Sequence, residues 1–592
     1  MHNCDVVIID SGVDLNDEQG VSGICISKSD EGFAYTEDIS DAVGHGTIIY
    51  SIIKKQVPAV DIFIIKLNEG VNDFDINLLI EALCYVKNNI RCKYINISLG
   101  VKVCDDLSEL YNRCSEISDR GTVIVSAFDN EGCYSYPAAF DCVIGVDSKN
   151  DLKSIAEFDY VENSPINVFA KGSLQRLTVK RGRTLLVGGS SISCAYITAT
   201  LASGLTEKID MEKALTYLKK KSRNIYLAKK SDNDLTNKLF KINNALVFPF
   251  SKEEHAFVRF SDMISFGIKG YYDVRQSGKV GRKLSSYYDE VDSNETIKDI
   301  EKIDFDGVDT IILGHLDELN SVSNRDYRVE LISKAIERKI NIYSFDPLEQ
   351  YSEILDASGI KYFFPSVTSD NVPQNVFGKL YKISKPIVGI FGTSSQQGKF
   401  SLQLAMKREL EAKEYNVGTI GTEPHSLLFD FDIVFPMGYN STVYLQNQEV
   451  ILYLNNAINS LCLKGKEIIL ASSQAQTIPY YCNNLLEFPS LQYHFALGIK
   501  PDVVVLCINY FDEIDYIQST VYMLKGLTDA TIIAFVMNPM TFSNEWSNLK
   551  RKVTYEEFNQ KAKILQEVFG IPVFLLGEES VRELCQNIID FF

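Results

Sequence analysis

Short apolar runs alternate with amphipathic stretches along most of the chain. Residues 4–9 (CDVVII) run apolar into Asp10-Ser11-Gly12, which predicts a buried parallel strand followed by a turn. Runs of the same kind stand at 61–66 (DIFIIK), 94–98 (YINIS), 122–127 (TVIVSA) and 142–146 (CVIGV). Helical spacing fills 76–89 (INLLIEALCYVKNN) and 107–118, and a long helix is predicted from near Ser191 through ISCAYITATLASGL. Strands alternating with helices predict a parallel sheet with helices on its faces. Residues 205–245 read as helix and tail.

A polar segment at 249–256 precedes a second series. Strands are predicted at 265–272 (SFGIKGYY), 309–313 (DTIIL), 341–345 (NIYSF) and 361–364 (KYFF), with helices at 325–338 and 348–357. The pattern is Rossmann-like, but no G-x-G-x-x-G loop follows the first strand, so a dinucleotide site there has little support. Residues 366–375 (SVTSDNVPQN) read as a linker. A third series opens with a strand at 386–391 (PIVGIF) and runs to Phe592. The predicted class is therefore α/β throughout, in three domains: 1–248, 257–370 and 380–592.

Composition narrows the function. The chain has 592 residues, 45% hydrophobic and 23% charged, with a net charge of 59 − 78 = −19. That is globular composition, and the acidic balance argues against nucleic acid or an anionic membrane as partner, since both need Lys and Arg. No apolar run is long enough for a transmembrane helix, and the N-terminus has neither the charged region nor the cleavage site of a secretion signal. The 13 cysteines are scattered, with no C-x-x-C pair. Reduced thiols in a cytoplasmic protein without structural zinc are expected.

Three motifs in chain order carry candidate chemistry: VVIIDSGV with Asp10 at a strand end, GHGT (44–47) with His45, and GGSSISCAYITA (188–199) with Ser191 opening a helix. A serine hydroxyl is a weak nucleophile that needs an imidazole to take its proton, and the imidazole needs a carboxylate to hold its tautomer. A serine at a helix N-terminus also sits where free N–H groups favour developing negative charge. His2 and His45 are the histidines of this region, so His45 has no close rival as base. INISLG (95–100) reads as an edge strand able to pair with an extended peptide. SAFDNEG (126–132) puts Asn130 in a loop after a strand, where its amide is placed to donate to an oxyanion.

These five motifs, in this order, resemble the subtilisin-like serine peptidases over residues 3–245. The resemblance implies that Asp10 orients, His45 is the general base, Ser191 the nucleophile and Asn130 the oxyanion donor. Ser98, Leu99 and Gly100 would line the substrate cleft. It implies peptide-bond hydrolysis through an acyl-enzyme, with no cofactor for that chemistry. Asp10 lies ten residues from the start, so no pro-segment is expected, which fits an intracellular processing enzyme.

A second constellation is VGIFGTSSQQGKFS, which follows an apolar strand and precedes a helical pattern. That is the context of a phosphate-binding loop: Gly392 and Gly398 let the backbone wrap phosphate oxygens and Lys399 reaches the β/γ-phosphates. Thr393 lies in the same loop. Ser401 is a candidate Mg²⁺ ligand, with Glu423 as its nearest acidic companion. Five residues separate the glycines, and this longer loop resembles that of dethiobiotin-synthetase-like ATPases. Across 258–592 the order of YYDVRQSGKVG (271–281), VDTIILG, RKINIYSFDPL, GTSSQQGKFS, GTIGTEPHS (418–426) and GIKPDVVVLC resembles a bacterial family that joins a Rossmann-like half to a P-loop half. That family includes D-glutamate N-acetyltransferases. The resemblance implies fold and binding of ATP with Mg²⁺.

The expected protein is a cytoplasmic subtilisin-like endopeptidase that cleaves a precursor or leader peptide during peptide maturation, with a C-terminal ATP-binding domain. The alternative is an ATP-dependent ligase or transferase of the C-terminal half, acting on a peptide or amino acid, with an accessory or inactive peptidase domain.

Overall fold

The computed structural model describes residues 1–14, 21–29, 32–68, 75–102, 107–130, 132–178, 184–207, 209–228, 235–287, 291, 293–373, 378–542 and 550–592. Among the cysteines singled out above, Cys104 lies outside them; the described cysteines are all free thiols. The chain divides into two compact units, Met1–Lys230 with Pro373–Ser384, and Ser231–Val372 with Lys385–Phe592. Both are α/β with mostly parallel sheets.

The first unit is built on a ten-stranded sheet. At its centre Val6–Asp10 lies between Tyr94–Ile97 and Ile62–Asn68, parallel to both. Val123–Ala127 and Ile144–Lys149 continue the parallel ladder beyond Tyr94–Ile97. Every residue of Val6–Asp10 is buried because helices cover both faces. Val6 and Ile8 face one core with helices His45–Gln56 and Ser190–Gly204. Val7 and Ile9 face the other, with Ile76–Asn89 and Ser108–Ser118. A strand covered on both faces shows a continuous apolar run rather than alternation, the pattern seen in its sequence.

The Tyr94–Ile97 strand is interior, flanked on both sides. The edge-strand expectation for INISLG is corrected accordingly. Its apolar residues do not reveal how many neighbours a strand has. Only Ser98–Gly100 runs past the ladder, until Val101 and Tyr136 exchange backbone hydrogen bonds of 2.9 and 2.8 Å.

The second unit holds two all-parallel sheets. The six-stranded sheet has Asn244–Phe248 between Gly267–Asp273 and Thr310–Leu313. The seven-stranded sheet has Ile387–Gly392 between Ile468–Ser472 and Val503–Ile508. Two sequence boundaries differ from this arrangement. Asn244–Phe248, expected in the tail of the first domain, is an inner strand of the six-stranded sheet. The segment 366–375 was expected to be a linker, but Val367 is fully buried and bridges to Val443, and Asn371 caps its own turn. Gln374 and Asn375 lie outside the described residues. At 366–375 polar composition suggested exposure, whereas Val367 sufficed to anchor the backbone; the apolar run Asn244–Phe248 does not itself say which sheet it joins.

Candidate active site

Asp10, His45, Asn130 and Ser191 all stand at the carboxyl end of the first unit's parallel strands or at helix N-termini beside them. That edge is where open α/β sheets place their ligands. Asp10 ends its strand and is 3% exposed. Its Oδ1 lies 2.8 Å from His45 Nδ1 and accepts the Ser11 N–H at 2.7 Å. Oδ2 is buried and has no hydrogen-bond partner.

His45 opens its helix because the preceding residues are shaped for it. Gly44 takes φ of 93° as the N-cap, a conformation that favours glycine. Gly46 passes so close to Gly12 that a Cβ would stand 2.1 Å from the Gly12 carbonyl oxygen. Asp41 ties this turn together. Its Oδ1 accepts from Gly44 N–H (2.7 Å) and Ser11 Oγ (3.0 Å), and its Oδ2 from Thr47 N–H (2.9 Å) and Thr47 Oγ1 (2.6 Å). Burial pushes the Asp41 carboxyl up, but these bonds outweigh it and hold the group below the usual carboxylate range. At His45, burial disfavours the imidazolium, but the Asp10 charge and hydrogen bond, with Asp41 behind them, hold the pKa above the ordinary histidine value. The His45 side chain remains 38% exposed.

The two serines at the second helix start have different surroundings. Ser190 is fully buried; its hydroxyl donates to Phe128 O and its N–H to Asn130 Oδ1 at 2.9 Å. Ser191 is half-buried, and its hydroxyl donates to Ser98 O at 3.2 Å. Gly189, with φ of 117°, lets the chain pass the Asn130 amide, which a Cβ would meet at 2.9 Å. The helices opened by His45 and Ser190 pack on one another, so the imidazole and the Ser191 hydroxyl project from neighbouring helix starts. Beneath them Asn96 donates to Ser98 Oγ (2.8 Å) and accepts from Thr198 Oγ1 (2.8 Å) and Cys194 Sγ (3.4 Å), locking strand Tyr94–Ile97 to helix Ser190–Gly204.

Of the predicted cleft residues, Ser98 therefore meets Ser191 directly. Leu99 and Gly100 are half-buried, Gly100 against Tyr136 O. Asp129, beside Asn130, pairs with Lys102 at 3.3 Å. Asp41 and Asn96 were missed by the sequence reading. Both left a trace, a polar residue just before GHG and one inside an apolar strand.

In the second unit, Ile387–Gly392 leads through a loop into helix Lys399–Ala412, with Gly398 in the left-handed region at φ 79°. Lys399 is 6% exposed, and its Nζ donates to Ser394 O (2.7 Å) and Ala475 O (3.0 Å). Burial lowers it to about 8, against the raising charges of Cys507 and Glu423. Thr393 Oγ1 bonds to Asp512 and accepts from Gln397 Nε2 at 2.6 Å. Ser401 is half-buried one turn into the helix. Glu423 is raised by burial, partly offset by a hydrogen bond with Gln474. Among the described residues no group of three or more His, Cys, Asp or Glu is arranged to hold a metal ion. Asp512 and Gln397 were not singled out from sequence; only the fold brings them onto Thr393.

No family model matches the chain. It is 26% identical over 168 residues to the minor extracellular protease Epr of Bacillus subtilis, covering 26% of this chain and 25% of that protein. It is 26% identical over 219 residues to the major intracellular serine protease of the same organism, covering 34% of this chain and 67% of that one. Among solved structures, a DUF1611 family protein from Anabaena variabilis is matched over 59% of this chain and all of its own, at 12% identity and TM-score 0.43. A cold-adapted subtilisin-like serine proteinase is matched over 36% and 81%, at 19% identity and TM-score 0.30. No helix among the described residues is long and apolar enough to cross a membrane. Part of this chain is therefore similar, at low identity, to subtilisin-like serine proteases.

Proposed function

We propose that the first unit is a serine endopeptidase of the subtilisin type. The observation that carries this reading is the Asp10–His45 pair, set at a helix start that packs beside the helix start bearing Ser191. Asp10 holds the Nδ1–H tautomer of His45, leaving Nε2 to take a proton. Ser191 Oγ attacks the scissile carbonyl as its proton passes to His45, and His45 returns that proton to the leaving amine as the C–N bond breaks. Water then repeats the cycle on the acyl-enzyme. The reading requires the Ser191 hydroxyl to exchange its bond to Ser98 O for one to the imidazole. Asn130 Oδ1 accepts from Ser190 N–H, and its Nδ2 would serve as the oxyanion donor. An extended peptide would lie along Ser98–Gly100. One chain carrying this site together with a phosphate loop suits processing of a precursor peptide better than general digestion. Fluorophosphonate labelling and peptide hydrolysis test the assignment. Ser191→Ala abolishes both, with a loss on the order of 10⁶ in kcat, whereas Ser190→Ala keeps the label. Unchanged cleavage by Ser191→Ala overturns the reading.

We propose further that the 392–399 loop binds the phosphates of ATP. The supporting observation is Lys399, an ammonium buried at the start of the helix after a glycine-bounded loop, with the carbonyl oxygens of Ser394 and Ala475 as its hydrogen-bond acceptors and a pKa that burial lowers to about 8. ATP bound there would supply a phosphoryl group or binding energy. Lys399 would hold its phosphates, Thr393 and Gly398 would shape the loop, and Ser401 and Glu423 are the candidate Mg²⁺ ligands. The alternative role, an ATP-dependent ligase or transferase acting on a peptide or amino acid, draws on Glu423, a carboxyl raised by burial that feels the charges of Glu253, Lys252 and His315. Lys399→Ala weakens binding of a fluorescent ATP analogue roughly 10–100-fold, the size of a lost charged hydrogen bond. Equal affinity of both proteins refutes the site.

A further inference from the structure

We infer that Lys379, distant in sequence from every triad member, is a positioning residue for the oxyanion loop of the peptidase. The inference rests on the peptidase reading above. Asn130 is exposed on the loop that follows strand Val123–Ala127. Its amide must be held still, since oxyanion donors act by being preorganised. Lys379 belongs to the short Pro373–Ser384 segment, which folds with the first unit although the chain around it folds with the second. Its side chain is almost wholly buried, and Nζ donates to Asp129 O at 3.0 Å, 250 residues away in sequence. That carbonyl belongs to the peptide plane joining Asp129 to Asn130. A planar peptide fixed at its oxygen fixes the direction in which the next residue leaves.

The ammonium is in turn anchored to the sheet. It pairs at 3.1 Å with Asp147, buried on strand Ile144–Lys149, and lies over the Phe128 ring. Two further contacts hold the same loop from the same segment. Tyr134 N–H donates to Leu380 O at 3.1 Å, and the Tyr381 ring stacks on Tyr134 at 4.5 Å. The loop therefore takes part of its conformation from Lys379–Tyr381, and Lys379 is the member of that group that bonds to the Asp129 carbonyl.

The test uses the full chain and a peptidyl p-nitroanilide hydrolysed in a Ser191-dependent way. Lys379→Met, which keeps the aliphatic stem, lowers kcat about 10–10²-fold with KM within about twofold, as expected of a misplaced catalytic group. Lys379→Arg restores most of the loss. In an Asn130→Ala background Lys379→Met causes no further fall, because both changes act through one amide. Amide hydrogen exchange rises across 128–136 in Lys379→Met. If Lys379→Met does not fold, Asp147→Asn, which removes the carboxylate that anchors the ammonium, is expected to lower kcat in the same direction and to raise exchange over the same residues. An unchanged kcat, or losses that multiply in the double variant, overturns the inference alone. Absence of any Ser191-dependent hydrolysis overturns the peptidase reading, and this inference with it.

Discussion

His45 sets the pH response of the site. Burial opposes its protonation, but the Asp10 carboxylate and its hydrogen bond, aided by Asp41, win and raise the pKa. A general base works only when neutral, so kcat/KM falls as pH drops through that raised value. The acid limb of the kcat/KM profile is expected to centre above pH 6.5, and Asp10→Asn to shift it down while lowering kcat sharply. A limb centred below 6.5 in the parent protein contradicts the pairing. The same interaction stabilises the fold fully below the unfolded histidine pKa of about 6.5 and is lost as pH rises through the folded value. Asn130 stands one step from the chemistry. Its truncation to Ala costs about 10²–10³ in kcat if Nδ2 serves the oxyanion, and a smaller loss assigns that role elsewhere. Asp10, His45 and Ser191 were legible because each sits in a short motif whose neighbours are glycines or small residues. Those neighbours reflect local needs: the left-handed turn at Gly44 and the close passage at Gly189.

At the scale of elements, two helix starts carry the site, and both depend on backbone packing closely on other groups. Helix Ser190–Gly204 is buried continuously from Ile192 to Ala199, which its run of Ser, Ala, Cys and Thr allows. Helix His45–Gln56 meets the Asp10 turn through Gly46. Gly46→Ala would drive a Cβ into the Gly12 carbonyl, and backbone on both sides leaves little room to yield. A destabilisation of about 1–3 kcal/mol is expected from such overpacking, read as a lower urea midpoint with a loss of fluorophosphonate labelling. A variant as stable and as reactive as the parent would show that the turn relaxes freely. Strands and helices here were legible from periodicity, because strands buried on both faces and amphipathic helices carry opposite patterns. Strand neighbours were not: INISLG reads the same at an edge or inside a sheet.

Across the whole molecule, the two units do not follow the linear order of the chain. Residues beyond the six-stranded sheet return to complete the first unit, and Lys379 supplies the cation for Asp147. Burial raises the Asp147 carboxyl, and Lys379 acts to lower it. A chain truncated after Phe248 leaves that carboxylate buried without its cation. Losing one member of a buried pair costs about 3–5 kcal/mol, so the truncated chain is expected to melt well below the first transition of the full protein. Equal melting would mean that Asp147 finds another partner or water.

The sequence by itself determined the α/β class, the strand runs, the catalytic-type motifs and the glycine-rich loop before Lys399. Each of these is a local requirement of backbone conformation or of two-sided burial, written within a few consecutive residues. Only the tertiary structure decided that Asp41 ties the His45 turn, that Asn96 joins strand to helix, that Asp512 meets Thr393, and that Lys379 bonds to the Asp129 carbonyl. Those contacts span many residues and satisfy buried polar groups. A buried charge needs a partner, but nothing in the local pattern says from which part of the chain it comes.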